Sequence, residues 1–283
     1  MWLGKEDPAI LPPLEIKTIE GAKLRKGYII PFNLPPEALG EMRQELKTNE
    51  AMGVLGDAPM GSTLHGLLTV KKAKGGYRWV ITCVTANDIT IDFHLFQPDN
   101  ANEQQSRMKG AKYFWLTDLT KGFWQIRLHP NSRWLFCFST PFGAKQYLRA
   151  PLGSKATAPL LLRYVHDGKI LDAAGLLHKG VEMVHGDHAG FSDVVYDDDP
   201  EGRSHFHSLR SYLKMCSEHR LRLSPKKFAL FSKEADIAGL LHKGGGLLVR
   251  PKCAKMPKPN ILWYSSPTGD LYCGTRRRRG TFN

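Results

Sequence analysis

Two spacings of apolar residues alternate along this chain, and the changes between them mark its elements. A three-to-four spacing puts Leu39, Met42 and Leu46 on one face after Pro35-Pro36-Glu37, which predicts a helix through about Asn49. Residues 53 to 66 are rich in Gly and small side chains and read as a loop. Leu67 to Lys72 and Tyr77 to Val84 carry strand-type residues on either side of Ala73-Lys74-Gly75-Gly76, which predicts a hairpin. Strands also fit Lys112 to Thr117 and Trp134 to Thr140, with a short helix or turn between them. Ala158 to Leu171 predicts a helix and Val181 to Ser192 a second hairpin. Helical spacing returns in Ser204 to His219 through Phe206, Leu209, Leu213 and Cys216. Hairpins and helices without regular β-α alternation predict an α+β fold. Residues 1 to 35, rich in Pro and charge, read as an extended lead-in, and no internal repeat is present.

Composition narrows the partners. A net charge of +13 suits a partner rich in phosphates, although a solvated Lys-rich surface carries the same charge without one. At 283 residues the chain can bury a sizeable core as one large domain or two subdomains. The five Cys are scattered, with no C-x-x-C pair to suggest zinc. An odd count without a signal peptide predicts reduced thiols and an intracellular protein, cytoplasmic or nuclear. No apolar run approaches a membrane span, so no membrane partner is expected, and the sequence sets no oligomeric state. Arg276 to Arg279 lie in a tail that reads as disordered, a solvated charge run or a nucleic-acid contact.

The most informative segment runs from Phe114 to Ile126. An apolar strand ends in Asp118, followed by Gly122 and the aromatic pair Phe123-Trp124. A carboxylate at the end of a buried strand needs a positive or polar partner, because a desolvated charge is expensive. A helix cap or turn is one reason for it. A metal ligand at a phosphoryl-transfer site is the other.

Ordered motifs over residues 14 to 260 decide between these. Val70-Lys71-Lys72 is followed by Gly76-Tyr77-Arg78, then Asn87 and Thr90. Thr117-Asp118-Leu119 precedes Gly122-Phe123 and Gln125-Ile126. Next come Phe138-Ser139-Thr140-Pro141-Phe142-Gly143, Pro151-Leu152-Gly153-Ser154-Lys155 with Ala158-Pro159, Leu221 to Lys227, and Gly239. Together they resemble the reverse transcriptase (RNA-directed DNA polymerase) domain of Ty3/gypsy-type LTR retrotransposons. That resemblance implies a right-hand α+β fold, its palm an antiparallel sheet backed by helices. It places fingers at 36–110, palm at 111–230 with a fingers insertion around 140–155, and the primer grip and start of a thumb at 231–262. Residues 263–283 remain as the basic tail.

The resemblance also implies roles. Asp118, the Leu119 backbone and Asp187 become metal ligands for two Mg²⁺ (or Mn²⁺) ions, with Asp118 and Asp187 catalytic. Lys71, Lys72 and Arg78 on the hairpin, with Gly153 and Lys155, become binding residues for a deoxynucleoside triphosphate. Phe123 takes the place of an aromatic under the sugar, where a ring clashes with a 2′-hydroxyl. Gln125, Lys226, Lys227 and Gly239 become contacts to an RNA/DNA template-primer.

The second metal motif of the family, Tyr-x-Asp-Asp, departs from pattern. Val184 to Ser192 carries Asp187 at the first aspartate, with His185 at the tyrosine, His188 at the second aspartate and one residue fewer than usual. Imidazole is a poor ligand for Mg²⁺. Thr82 and Val84 likewise stand where the family has Asp and Arg, and Ala156-Thr157 adds a residue to the Pro151–Lys155 segment. The pattern implies an impaired polymerase or, alternatively, an inactive nucleic-acid-binding remnant. Tyr196-Asp197-Asp198-Asp199, next to Pro200 in a polar stretch, reads as a surface loop. His185, Asp187 and His188 are also similar to the zinc motif of metallo-β-lactamase-fold hydrolases, which lacks its leading His here because Met183 stands there. No aspartic-protease motif or Cys-rich knuckle is found, and residues after 260 are too few for a ribonuclease H domain.

Overall fold

An antiparallel ladder between β4 (Tyr113–Asp118) and β8 (Asp187–Ser192) runs unbroken from Tyr113↔Ser192 to Asp118↔Asp187. It lies at the centre of a computed structural model that describes residues 7–25, 34–72, 75–91, 108–166, 181–184, 187–192, 204–237, 240–243, 246–249, 261–265 and 271–275. Strand β7 (Val181–Val184) and strand β9 (Ala229–Ser232) complete a four-stranded sheet in the order β7-β8-β4-β9. Helix α1 (Pro36–Ala51) leads into β1 (Leu55–Asp57), which pairs with β6 (Gly143–Tyr147), itself paired with β5 (Cys137–Thr140). Strands β2 (Leu67–Lys71) and β3 (Tyr77–Ile81) form a hairpin followed by α2 (Val84–Ile89). Helices α3 (Thr157–His166) and α4 (His205–Glu218) follow, and β10 (Glu234–Ile237), β11 (Leu240–Lys243) and β12 (Gly246–Val249) form a separate meander. A last hairpin joins β13 (Ile261–Ser265) to β14 (Leu271–Thr275).

Alternation along β4 supplies the two faces of the central sheet. Trp115 and Thr117 point to α4, where Trp115 Nε1 donates to Ser208 Oγ at 3.1 Å. On the same face Thr117 Oγ1 and Tyr212 OH share a hydrogen bond of 2.9 Å, and the Trp115 and Tyr212 rings lie 4.5 Å apart. Phe114 and Leu116 point the other way, into a small cluster with Met108, Ala111, Ala189, Phe191 and Ala235. Asp118 continues that second face.

Several expected boundaries shift, each for a specific reason. The first α1 core position is Ala38, fully buried, while Leu39 is only half-buried, so the inward face runs Ala38, Met42, Leu46, Asn49. The predicted loop at 53–66 contains β1, because Leu55 and Asp57 find partners in Tyr147 and Lys145. The strand expected to reach Val84 stops at Ile81, since the Cys83 carbonyl accepts from Asn87 N and starts α2. Residues 130–136 form a 3-10 helix opened by Pro130, so the strand expected from Trp134 begins at Cys137. Phe206 is exposed, and α4 buries His205, Ser208, Leu209, Tyr212, Met215 and Cys216 instead. The helix expected to reach Leu171 is described to His166, and 276–283 and the Tyr196–Asp199 stretch lie outside the described residues. Residues 7–25 of the expected lead-in pack inward. Leu11, Leu14 and Ile16 are buried, and Leu14 bridges Leu128. Among the described residues, Cys83, Cys137 and Cys216 are free and buried.

Trp115 packs directly over Gly190, its ladder partner. A Cβ at Gly190 would stand 2.0 Å from two atoms of the indole, which no rotamer of a packed ring relieves. Gly190→Ala is therefore expected to cost about 3 kcal/mol or more in urea unfolding. Combined with Trp115→Leu, the two losses should fall short of additive, because removing the ring removes the clash.

Candidate functional site at the end of the central ladder

Asp118 and Asp187 are ladder partners at the same end of β4 and β8, so the two expected carboxylate positions share one sheet face. Position 188 pairs with Thr117, whose side chain is buried beneath Tyr212. Successive residues alternate, so 187 and 188 belong to opposite faces. His185 and Gly186 lie outside the described residues, between the ladder partners Val184 and Asp187. Among the described residues no cluster of three or more His, Cys, Asp or Glu is arranged to hold a metal.

The Asp118 side chain is about three-quarters buried, and its Oδ2 meets Lys227 Nζ at 2.7 Å. This pairing was not legible in the sequence, where the two residues stand 109 apart. The backbone explains it. Ser224 N donates to the Asp118 carbonyl at 2.7 Å, Leu119 bridges Leu223, and Thr120 N donates to the Arg222 carbonyl at 2.9 Å. Pro225 then opens the 3-10 turn Pro225–Lys227 beside the end of β4. Lys226 is exposed on that turn.

Gln125 secures the same junction from beneath. It is buried, its Nε2 donates to the Thr120 and Arg222 carbonyls at 2.8 and 2.9 Å, and its Oε1 accepts from Arg222 N at 2.8 Å. The expected template contact thus has its amide hydrogens engaged inside the protein. Phe123 sits in the 3-10 turn Gly122–Gln125, half-buried against the main core. Lys121 opens that turn with φ 48, and its Nζ lies 4.7 Å from the Trp124 ring centre. Burial pushes the Lys121 ammonium down against the pull of Glu45. Burial pushes the Glu45 carboxyl up, against Lys72 and Lys121. Glu45 on α1 therefore links the hairpin tip to the Asp118 turn electrostatically, a role no sequence motif signalled.

The cations of the β2–β3 hairpin divide between its faces. Lys71 pairs with Tyr77 and Arg78 with Val70, so Lys71 and Arg78 face opposite ways, and both are exposed with Lys72. Glu41 on α1 accepts from Tyr77 N at 3.1 Å and braces the tip. The Gly153 and Lys155 positions are brought together by Asn87. Its Nδ2 donates to the Gly153 carbonyl at 3.0 Å and its Oδ1 accepts from Lys155 N at 2.9 Å. Gly153 has φ 94, and a Cβ there would meet Cys83 Sγ at 3.5 Å, so the loop needs glycine for its backbone rather than for space. Thr82, at the missing acidic position, donates Oγ1 to the Gly66 carbonyl, and Val84 is exposed. Gly239 lies outside the described residues.

Residues 70–242 match the family model described as reverse transcriptase (RNA-dependent DNA polymerase). The enzymatic polyprotein of Cauliflower mosaic virus (strain D/H) is 28% identical over 170 residues, covering 60% of this chain and 23% of the polyprotein. The retrovirus-related Pol polyprotein from transposon opus of Drosophila melanogaster is 24% identical over 281 residues, covering 92% of this chain and 26% of the polyprotein. The chain thus spans about a quarter of the length of these relatives. Among solved structures, the foamy viral protease-reverse transcriptase in complex with RNA/DNA hybrid superposes with a TM-score of 0.70 at 19% identity, covering 92% of this chain and 33% of that one. The same protein in its dRH form with ds DNA gives 0.68 at 21% identity, covering 92% and 43%. These likenesses establish an α+β polymerase-like fold. They leave no place for the zinc-hydrolase reading of His185, Asp187 and His188.

Gln125→Leu is expected to strand the Thr120 carbonyl and the Arg222 amide inside the protein, leaving the Arg222 carbonyl with Thr120 N alone, and to lower stability by about 2–4 kcal/mol. Hydrogen exchange should quicken first at the Arg222 amide, which loses its acceptor.

Proposed function

This chain belongs to the reverse transcriptase (RNA-dependent DNA polymerase) family, and from that membership we propose that it carries a palm for template-directed deoxynucleotidyl transfer in which Asp118 and Asp187 are the metal-facing pair. The observation that carries this reading is the Asp118↔Asp187 register at the end of the central ladder. A nucleic-acid template-primer as partner is supported by the foamy viral enzymes, solved with RNA/DNA hybrid and with ds DNA, and by the charge of +13. The transposon opus and transposon 297 polyproteins among the relatives support a Ty3/gypsy-type LTR element as its source. On this fold we assign fingers to 36–110, palm to 111–230 with the insertion around 140–155, and the primer grip and thumb start to 231–262.

The residues fit a divalent cation. Asp118 already holds a cationic stand-in, the Lys227 ammonium, and oxygen donors of this kind suit Mg²⁺ or Mn²⁺. When bound, such ions supply charge neutralisation at the reacting phosphoryl oxygens. The chain itself supplies position and counter-charge. Lys71, Lys72 and Arg78 present cations from the hairpin to a triphosphate. Phe123 is the aromatic that excludes a 2′-hydroxyl, and the Gly153–Lys155 loop, braced by Asn87, supports the nucleotide.

The ladder also supports a different position for the lost ligand. Every residue of β8 from Asp187 to Ser192 has a partner on β4, so we align the strand with the family motif without a deletion. Counting back from Phe191-Ser192 without a gap assigns Asp187 to the second aspartate of Tyr-x-Asp-Asp, Gly186 to the first and Val184 to the tyrosine. The degenerate position is then Gly186, and His188 is an ordinary strand residue on the Thr117 face.

Primer extension on an RNA template with Mg²⁺ or Mn²⁺ tests this directly. The chain should extend weakly, and Asp118→Asn should abolish extension. Gly186→Asp should raise the rate by about tenfold or more, while His188→Asp should give no gain. Rescue by His188→Asp instead would overturn the register assignment. A chain that binds template-primer in a salt-dependent way but extends under none of these conditions is the inactive binder.

A further inference from the structure

We propose that Lys227 is an internal counter-ion that occupies the cation position on Asp118 when no metal is bound, and that a divalent ion must displace it. The proposal rests on the metal-site reading of Asp118 given above. Its first support is the contact itself. A separation of 2.7 Å between Nζ and Oδ2 is that of a charge-assisted hydrogen bond. An ammonium held there engages Oδ2 and repels an arriving dication.

The second support is how the pair is delivered. The strand end carrying Asp118 and the turn carrying Lys227 are joined by Ser224 N to the Asp118 carbonyl, by the Leu119–Leu223 bridge and by Thr120 N to the Arg222 carbonyl. Gln125 locks Arg222 in turn. The root of the Lys227 side chain is therefore fixed relative to the carboxylate, independently of any bound strand.

The third is the difference in exposure. Asp118 is 26% exposed and Lys227 62%, so the ammonium reaches the carboxylate from the solvent side. A fixed root and a solvent-facing head suit a placeholder better than a permanent structural tie. Pairs of this exposure contribute little, so the competition is modest and reversible.

The test is direct Mn²⁺ binding to the full chain, read as free Mn²⁺ by electron paramagnetic resonance. Lys227→Gln should bind Mn²⁺ about two- to fivefold more tightly than the unaltered chain. Lys227→Arg, which keeps the charge, should stay within about twofold of it. Lys214→Gln, which removes the same charge from α4, should leave the affinity unchanged, and Asp118→Asn should lose the site. If Asp118→Asn loses the site but Lys227→Gln binds no more tightly, the counter-ion role is overturned while the metal site stands. Equal tightening by Lys214→Gln or by Lys227→Arg overturns it too, as a general charge effect or a packing effect. If Asp118→Asn binds as well as the unaltered chain, the metal-site reading falls and this proposal with it.

Discussion

The β4–β8 ladder sends alternate side chains to opposite faces, and that alternation fixes both the packing and the chemistry of the central sheet. Odd positions of β4 meet α4 through Trp115, Thr117, Ser208 and Tyr212. Even positions carry Phe114, Leu116 and finally Asp118. A slip of one residue would put Asp118 beneath Tyr212 and expose the indole, so the register is held by both faces at once. Gly190 is the sharpest expression of this constraint, because Trp115 fills the volume that any other partner would need.

The end of this ladder is held rigid by a buried amide. Gln125 spends its side chain on Thr120 and Arg222, which draws the segment from Leu221 to Lys227 against the exit of β4. Buried polar groups are costly unless satisfied, and here the satisfied network aligns two segments distant in sequence. The same junction gives Asp118 its ammonium neighbour. Packing and electrostatics are thus joined at one place, since loosening Gln125 would also free the root of Lys227.

Local pattern made much of this architecture legible. The Asp118 strand, the β2–β3 and β7–β8 hairpins and α4 follow from periodicity and turn residues, and the ordered motifs carried the fold class. What escaped was set by contacts between distant segments. Leu55 becomes strand only because Tyr147 arrives beside it, and Phe206 is left in solvent because His205 and Ser208 take the inward positions of α4. The lead-in reads as polar and extended, yet Leu14 docks on Leu128. The Asp118–Lys227 pair has no local signature at all, because a lysine on a Ser-Pro-Lys-Lys turn resembles any solvated surface. The degenerate hairpin can be counted from either end, and the proposed count from Phe191-Ser192 differs from the one made from its first aspartate.

On the proposed assignment, the loss at Gly186 and the pairing of Lys227 reinforce each other. A cation site works by outcompeting internal positive charge for its carboxylates. With a third carboxylate at the hairpin tip, one ammonium would be a minor claimant against a dication that gains all three. With Asp118 and Asp187 alone, the same ammonium neutralises half of the site's charge. The free energy that one missing carboxylate removes is therefore not only its own coordination. It also raises the relative weight of the counter-ion already present, so a single substitution on the hairpin weakens the metal site twice, once at position 186 and once through the lysine 41 residues further along the chain.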